Sequence, residues 1–267
     1  EAGEVARAIE LARTGVEISR KQLPQFAGMC IGRQAIAHIV EGDIAAAGAM
    51  YVDAGDNLGP AGGIALGMER VMATAADDDW VVVFDDDDPP TRDDLLAELW
   101  RFAGACSAGD ADTGGVGVVG SRYDRRVGVF RRVGDEELAG AVPVDYIGGG
   151  QFPMFSCRVV RACGVFDRGY FFGFDDAEYG LRLRQHGYSL YAHGELWHAQ
   201  RAAHQRLNLA PTALRTSDQS SAWRRYYGVR NLTSIAKRYG SPLATAVAAG
   251  AGGLRGAVTL GRARRPV

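Results

Sequence analysis

Four aspartates follow one another directly after a run of apolar residues in "WVVVFDDDDPP", which spans residues 80–90. On extended backbone, alternate residues point the same way, so Asp85 and Asp87 converge on one side and Asp86 and Asp88 on the other. Two convergent carboxylates repel each other unless a cation lies between them or one stays protonated. Carboxylate oxygens suit Mg²⁺ or Mn²⁺, and Mg²⁺ usually shares its ligands with substrate phosphates. The run therefore predicts a site for a metal and a phosphate.

A solvated acidic turn is the alternative interpretation of this run, because Asp and Pro are both common in turns. The position after a buried strand favours the functional interpretation, since ligands of α/β sheets gather at the carboxyl ends of strands. Phosphatases of the haloacid dehalogenase type also place a DxD motif at a strand end. They require Thr or Val two residues after the second Asp, where this chain has Pro89 or Pro90, so that assignment is disfavoured.

A second acidic cluster lies in "YFFGFDDAEYGLRLRQHGY", where Asp175, Asp176 and Glu178 open a predicted helix. Asp followed three residues later by Glu resembles a capping box, which is one interpretation. The other is a general base, because the preceding aromatic residues would surround a carboxyl group with apolar surface and raise its pKa. His198, in "GELWHAQ", follows a predicted strand and is a candidate third metal ligand, although an isolated His is more often structural.

The elements that would position these residues alternate between strand and helix. "WVVVF" is continuous and rich in β-branched residues, which is typical of a strand buried on both faces of a parallel sheet. A helix is expected from about Ala61, another over "TRDDLLAELWRFA" with Thr91 as its N-cap, and others over "CRVVRACGVF" and "SSAWRRYYGVRNLTSIAKRYG". "GGVGVVGSR" is expected to be one buried strand, and "YSLYAHGELWH" a strand and a loop. The pattern predicts an α/β fold with a mostly parallel sheet flanked by helices.

The composition limits the classes of protein to consider. The chain has 267 residues, a net charge of −2, 47% hydrophobic residues and four cysteines without CxxC pairing. These values are ordinary for a globular protein and give no basic signature for nucleic acid. The cysteines are expected to be reduced thiols of a cytosolic protein. No apolar stretch reaches the roughly 18 residues of a transmembrane helix.

Taken together, these stretches resemble family 2 glycosyltransferases, which use nucleotide sugars and have the GT-A fold, a Rossmann-like sheet. The resemblance covers residues 51–235 and rests on the order of "NLGPAGGIALGM", "WVVVFDDDDPP", "GGGQFPMFSCRVVRACGVFDRGYFFGFDDAEYGLRLRQHGYSL", "HGELWH" and "RRYYGVRN". The first of these segments and "FDDAEYGLR" look most like the bacterial galactofuranosyl- and rhamnosyltransferase branches.

On the donor side, the resemblance implies that Asp87 coordinates a Mg²⁺ or Mn²⁺ ion on the donor diphosphate. Asp85 would approach the donor and the same ion, with Asp86 beside it, and His198 would be a further ligand. The donor-binding surface would also include Asn57, Gly62 and Gly63.

On the acceptor side, the resemblance implies that Asp176 is the base that deprotonates an acceptor hydroxyl, with Asp175 or Glu178 holding acceptor hydroxyls. Gly148, Gly149 and Gly150 would form a close-approach backbone loop near the acceptor. Arg230, together with Asn231, would help to bind an anionic donor or a lipid-diphosphate acceptor, the alternative being a solvated helix face.

The implied reaction is a single displacement with inversion at the anomeric carbon of a UDP-galactofuranose or dTDP-rhamnose type donor. The implied acceptor is a glycan or a polyprenyl-diphosphate-linked glycan, and no nucleic acid is expected as a partner. The expected location is cytoplasmic, at the inner face of the plasma membrane if the basic Ala/Gly-rich tail lies on a membrane surface.

The chain departs from the family in residues 1–50, where the strands that hold the nucleotide base and ribose have no counterpart. The expected organisation is therefore an atypical region (residues 1–50), a GT-A catalytic domain (51–205) whose first strands are missing, and a helical C-terminal extension (206–267). Two other functions stay open at this point. One is a GT-A-like module that binds a glycan or partner without catalysis, and the other is a metal-dependent nucleotidyl- or phosphoryltransferase.

Overall fold

A computed structural model describes residues 29–31, 52, 54–84, 92–148, 152–209 and 222–250. Its centre is a six-stranded sheet with the strand order β1-β2-β8-β3-β9-β6. The bounds of these strands are β1 Met29–Ile31, β2 Trp80–Phe84, β3 Thr113–Gly117, β6 Ala141–Val144, β8 Met154–Ser156 and β9 Ser189–His193.

A second, three-stranded sheet has the order β5-β4-β7 and is antiparallel throughout. Its strands are β4 Gly120–Asp124, β5 Val129–Arg131 and β7 Tyr146–Ile147. Only Val118 and Val119 separate β3 from β4, so the predicted single strand "GGVGVVGSR" is in fact two strands in two sheets. The strands β4 and β5 pair as an antiparallel hairpin.

Helices connect and cover these strands. They are α1 Gly59–Met72, α2 Leu95–Gly109, α3 Cys157–Cys163, α4 Asp175–Gln185, α5 Gly194–Ala203 and α6 Ala222–Tyr239, followed by a helical segment over 242–250. The predicted helices are confirmed with shifts of their ends, although Thr91 is wrong as the N-cap of α2, because that helix begins at Leu95 with Asp94 in the N-cap position. The loop predicted at "GELWH" is wrong, because His193 caps the helix α5 by accepting a hydrogen bond from the backbone N–H of Leu196.

The strand β2 is buried on both faces, as its apolar run predicts. Val81 and Val83 pack with Ile64 and Met68 of α1 in one apolar cluster. Trp80 and Val82, which point the other way, pack with α2 in a second cluster. The strand is therefore held between two helical layers, and this explains its unbroken apolar sequence.

The expectation of a mostly parallel sheet is wrong for the described strands. Only β3 and β9 pair in parallel, while the other four pairings of the main sheet are antiparallel. The prediction failed because an unbroken apolar sequence reports burial on both faces of a strand, not the direction of its neighbours. Helices cover both faces of β2, so β2 is apolar although its neighbours run antiparallel to it. The segment "PMFS" supplies the unexpected strand, because β8 inserts antiparallel between β2 and β3.

The chain is thus an α/β protein with a mixed sheet. The C-terminal helix α6 is part of this body, since Ile235 and Tyr239 share an apolar cluster with Leu181 of α4. Among the described residues, no helix combines the length and apolarity that crossing a bilayer requires. The predicted atypical region 1–50, apart from β1, and the tail 251–267 lie outside the described residues.

The helical layer formed by α2 should contribute strongly to stability. Leu99 has no exposed surface and faces the cluster of Val82. Leu99→Ala is expected to lower the free energy of unfolding by about 2–5 kcal/mol, because it removes buried methyl groups and leaves a cavity. Chemical denaturation followed by circular dichroism measures this change. Leu209→Ala, at a side chain that is 53% exposed, is the control and should change stability by less than about 0.5 kcal/mol.

Candidate functional site

The strands β2, β3 and β9 run in the same direction, although only two of them are neighbours. Both β2 and β3 are antiparallel to β8, and β9 is parallel to β3. Their carboxyl ends, at Phe84, Gly117 and His193, therefore share one edge of the sheet. Such an edge is where ligands of α/β sheets bind, and the aspartate run begins directly after Phe84.

Several predicted site residues lie outside the described residues, namely Asp85, Asp86, Asp87, Gly149 and Gly150. The backbone around them is described. Val82 pairs with Met154, and the backbone N–H of Val83 donates to the carbonyl of Pro153 at 2.9 Å. The segment that follows the glycine run therefore lies beside the strand that leads into the aspartates.

The predicted donor-side segment packs against the loop that leads to Asp176. The backbone N–H of Ala61, in the first turn of α1, donates to the carbonyl of Phe171 at 3.4 Å. Gly59 has a φ of +65°, and a Cβ there would lie 2.2 Å from that same carbonyl oxygen. Glycine is thus required at Gly59 by both conformation and space.

The glycines of this segment do not all have the role that the resemblance implies. Gly62 is buried, and a Cβ there would lie 2.6 Å from the Cβ of Leu58, so its small size serves packing at the start of α1. Gly63 is half-buried, and the Asn57 carboxamide accepts a hydrogen bond from the backbone N–H of Gly59 at 3.0 Å. Asn57 therefore orders the entry to α1, with the rest of its side chain near the surface.

The loop before Asp175 has an unusual backbone. Phe171 and Phe174 have φ values of 54° and 62°, and Gly173 between them has 77°. Left-handed conformations are unfavourable for bulky residues and persist only where the surroundings impose them. The surroundings here include the packing of Gly59 on Phe171 and a clamp from α6.

Asn231 of α6 forms that clamp. It is fully buried, and its amide nitrogen donates to the carbonyls of Tyr170 at 2.8 Å, Phe172 at 3.1 Å and Gly173 at 2.7 Å. Three converging carbonyl oxygens fix the orientation of the amide. The sequence suggested an anion-binding role for Asn231, whereas its contacts make it a support for the strained loop.

Asp175 and Asp176 begin α4, where the helix dipole favours negative charge. Phe174 occupies the N-cap position and makes no side-chain cap, so the capping-box interpretation is wrong. Asp175 is buried, whereas Asp176 is half-buried and accepts a hydrogen bond from the backbone N–H of Ala177 at 2.7 Å. Asp176 is thus the more accessible of the two carboxylates.

Tyr146 links Asp176 to the glycine run, because β7 ends at Ile147 and Gly148 follows directly. Burial, and after it the negative charge of Asp176, raise the pKa of the Tyr146 hydroxyl well above its ordinary value. The Tyr146 hydroxyl therefore stays protonated near Asp176. Gly180 of α4 permits this contact, since a Cβ there would lie 2.5 Å from the Cα of Tyr146.

Glu178 is fully buried and does not face an acceptor site. Its carboxylate pairs with Arg182, with N–O distances of 3.1 and 2.9 Å, and with Arg238 at 3.1 Å. It also accepts a hydrogen bond from the Tyr239 hydroxyl at 2.7 Å. Burial, followed by this hydrogen bond, raises the pKa of Tyr239 well above its ordinary value, so the hydroxyl stays a donor. These contacts leave no exposed atom of Glu178 to bind acceptor hydroxyls.

Two further predicted residues are exposed. Arg230 donates to the carbonyl of Gly169 and lies over the ring of Tyr227 at 5.2 Å, so it borders the strained loop. His198 lies on α5, which follows β9, and β9 is three strands from β2 in the sheet, roughly 14 Å at the usual strand spacing. Because Asp85 and Asp87 lie outside the described residues, the role of His198 as a further metal ligand stays a prediction. Within the described part of the chain, no three His, Cys, Asp or Glu side chains gather as a metal site would require.

Neither the protein-family models nor the curated proteins compared with this chain gave a match. The candidate site is therefore defined by its geometry. It comprises the end of β2, the backbone beside Pro153, the start of α1 and the loop that leads to Asp176.

The buried carboxylate of Glu178 should be essential for the stability of this arrangement. Glu178→Gln removes the negative charge and leaves Arg182, whose side chain is 11% exposed, without its counter-ion. We expect the free energy of unfolding to fall by about 3 kcal/mol, measured by urea denaturation. Glu136→Gln, at an exposed carboxylate, is the matched control and should be nearly neutral. Equal stability of the two variants would contradict the assignment.

Proposed function

We propose that this protein is a metal-dependent inverting glycosyltransferase of the GT-A type, with family 2-like motifs. It would transfer a sugar from a nucleotide diphosphate sugar to a glycan or a lipid-linked glycan. The observation that supports this most is the packing of the Asn57–Gly63 segment against the loop before Asp176. This contact joins the segment that the resemblance assigns to the donor with the one it assigns to the acceptor base.

The direction of α1 adds support. Residues 73–79 connect the end of α1 to the start of β2, so the short connection directs the start of α1 toward the carboxyl end of β2. A donor held beside the first turn of α1 would thus have its diphosphate near the aspartate run. The mixed sheet is compatible with this proposal, because β2, β3 and β9 still end at one edge.

A divalent cation at the end of β2 would be bound by the aspartates and by the phosphates of the donor. Asp85 and Asp87 would hold Mg²⁺ or Mn²⁺, with His198 as a further ligand. When bound, the ion supplies positive charge that neutralises the departing nucleoside diphosphate. Mg²⁺ usually takes most of its ligands from water and from phosphate oxygens, so two protein carboxylates are sufficient to bind it.

Asp176 would act as the general base in this reaction. Its carboxylate accepts the proton of an acceptor hydroxyl as that oxygen forms a bond to the anomeric carbon. The bond from the anomeric carbon to the phosphate oxygen breaks, and the nucleoside diphosphate leaves with the electron pair. Attack opposite the leaving group inverts the anomeric centre. The backbone N–H of Ala177 in the first turn of α4 holds the Asp176 carboxylate through a hydrogen bond of 2.7 Å.

The donor class proposed is UDP-galactofuranose or dTDP-rhamnose, and the acceptor is a glycan or a polyprenyl-diphosphate-linked glycan. The cytoplasmic face of the plasma membrane is the proposed location, because lipid-linked acceptors and nucleotide sugars meet there. Arg230, beside the strained loop, is available to an anionic acceptor group. Gly148–Gly150 would provide backbone close to the acceptor.

The first prediction of this proposal concerns the metal. UDP or dTDP should bind in the presence of Mg²⁺ or Mn²⁺ and not after chelation, as measured by isothermal titration calorimetry. Asp87→Ala should weaken this binding by about two orders of magnitude, because it removes a direct ligand. Asp88→Ala is the control and should bind normally, because the alternation of extended backbone predicts that Asp88 points away from Asp87. Nucleotide binding that is indifferent to chelator would count against the proposal.

The second prediction concerns the base. Asp176→Asn keeps the shape of the side chain but cannot accept the proton, so kcat for sugar transfer should fall about 10²–10⁴-fold. The Kd for the nucleotide should stay unchanged. Asp112→Asn, at an exposed carboxylate outside the site, should leave kcat unchanged. If a panel of nucleotide sugars gives no metal-dependent turnover with the wild-type chain, the protein is instead a binding module and the proposal fails.

A further inference from the structure

A group of aromatic side chains lies at the surface where the start of α6 meets the strained loop. Trp223 is 47% exposed and Tyr226 is 62% exposed. Phe172 contacts the Trp223 ring, with centroids 4.8 Å apart, and Phe171 stacks on Tyr227 at 4.9 Å. The rings thus form one continuous patch rather than isolated exposed residues.

Arginines are interleaved with these rings. The Arg224 guanidinium lies 5.2 Å from the centre of the Phe172 ring and 5.3 Å from that of Trp223. Arg230 lies over Tyr227 at 5.2 Å. Positions 223, 226, 227 and 230 have the spacing of one helix face. We refer to these residues, Phe171, Phe172, Trp223, Arg224, Tyr226, Tyr227 and Arg230, as the aromatic–arginine surface.

The charge of this part of the chain differs sharply from that of the rest. Residues 219–267 contain nine of the 30 basic residues and none of the 32 acidic ones. The first 218 residues therefore contain 21 basic and 32 acidic residues, a net charge of −11. The helix α6 itself has five basic residues and no acidic residue. Such a segregated positive charge is complementary to an anionic partner and is unfavourable for a cationic one.

We propose that the aromatic–arginine surface binds the surface of an anionic lipid bilayer. Trp and Tyr rings are amphipathic and favour the boundary between headgroups and acyl chains. Arginines beside them would pair with lipid phosphates in the headgroup layer. The protein would lie on the membrane through the start of α6, with the loop before Asp175 facing the bilayer. This inference does not depend on the catalytic proposal.

A soluble oligosaccharide is the other ligand that stacks on aromatic rings, but the surface fits it less well. Neutral sugars are held in place by carboxylate and amide groups as well as by rings, and the polar side chains among these rings are arginines. Two of its rings are also about half exposed or more. A bilayer can cover such exposed rings without a pocket.

Vesicle binding by the full chain tests this proposal. The protein should co-sediment with vesicles that contain phosphatidylglycerol, bind pure phosphatidylcholine much more weakly, and lose binding as salt rises. Tryptophan emission should shift to the blue on binding, because Trp80 and Trp197 are already buried, Trp100 is partly buried, and Trp223 is exposed. Trp223→Phe should keep most of the binding and lose most of the shift, which assigns the contact to this residue.

Surface variants complete the test. Arg224→Gln should weaken binding to the anionic vesicles about fivefold, and a combined Trp223→Ala, Tyr226→Ser variant should abolish it. Arg101→Gln and Leu209→Ser, at exposed positions elsewhere, are the matched controls and should bind normally. Circular dichroism melting checks that every variant is folded. Unchanged binding by the combined variant would overturn the proposal, as would a blue shift with soluble oligosaccharides and none with vesicles.

Discussion

The buried carboxylate of Glu178 is the constraint on which the arrangement of the site depends. It lies in α4, and its partners Arg238 and Tyr239 lie at the end of α6. A buried charge is tolerated only when it is paired and hydrogen-bonded. Arg182 of α4 pairs with this carboxylate within the helix, and α6 supplies its other two partners. The helix that carries Asp176 in its first turn is therefore fixed to α6 through its buried face.

The second support acts on the backbone rather than on the helix. Asn231, two turns before Tyr239 on the same helix, holds the carbonyls of the loop that enters α4. One helix thus fixes both α4 and the strained turn before it. The left-handed conformations of Phe171 and Phe174 then have a cause, because the clamp and the packing of Gly59 impose them together. A loop fixed in this way can keep a carboxylate oriented without the closure of a separate lid.

The sequence predicted the elements that are long and strongly patterned, and it failed where a tertiary contact decides. The strand "WVVVF" and the helices α2, α4 and α6 were predicted from apolar runs, from periodicity and from the residue types at their ends. The strand β8 was not predicted, because three residues beside a Gly-rich run are too few to show a period. The insertion of this strand makes the sheet mixed. The acidic helix start at Asp175 and Asp176 was found from residue type alone. The buried role of Glu178 could not be predicted, since two of its three partners, Arg238 and Tyr239, lie about 60 positions away along the chain.

The insertion of β8 also decides which residues can act together. It places β3 and β9 at two and three strands from β2. At the same time it brings the backbone beside Pro153, and with it the segment after the glycine run, next to the end of β2. The unexpected strand therefore determines which backbone borders the edge where β2, β3 and β9 end together.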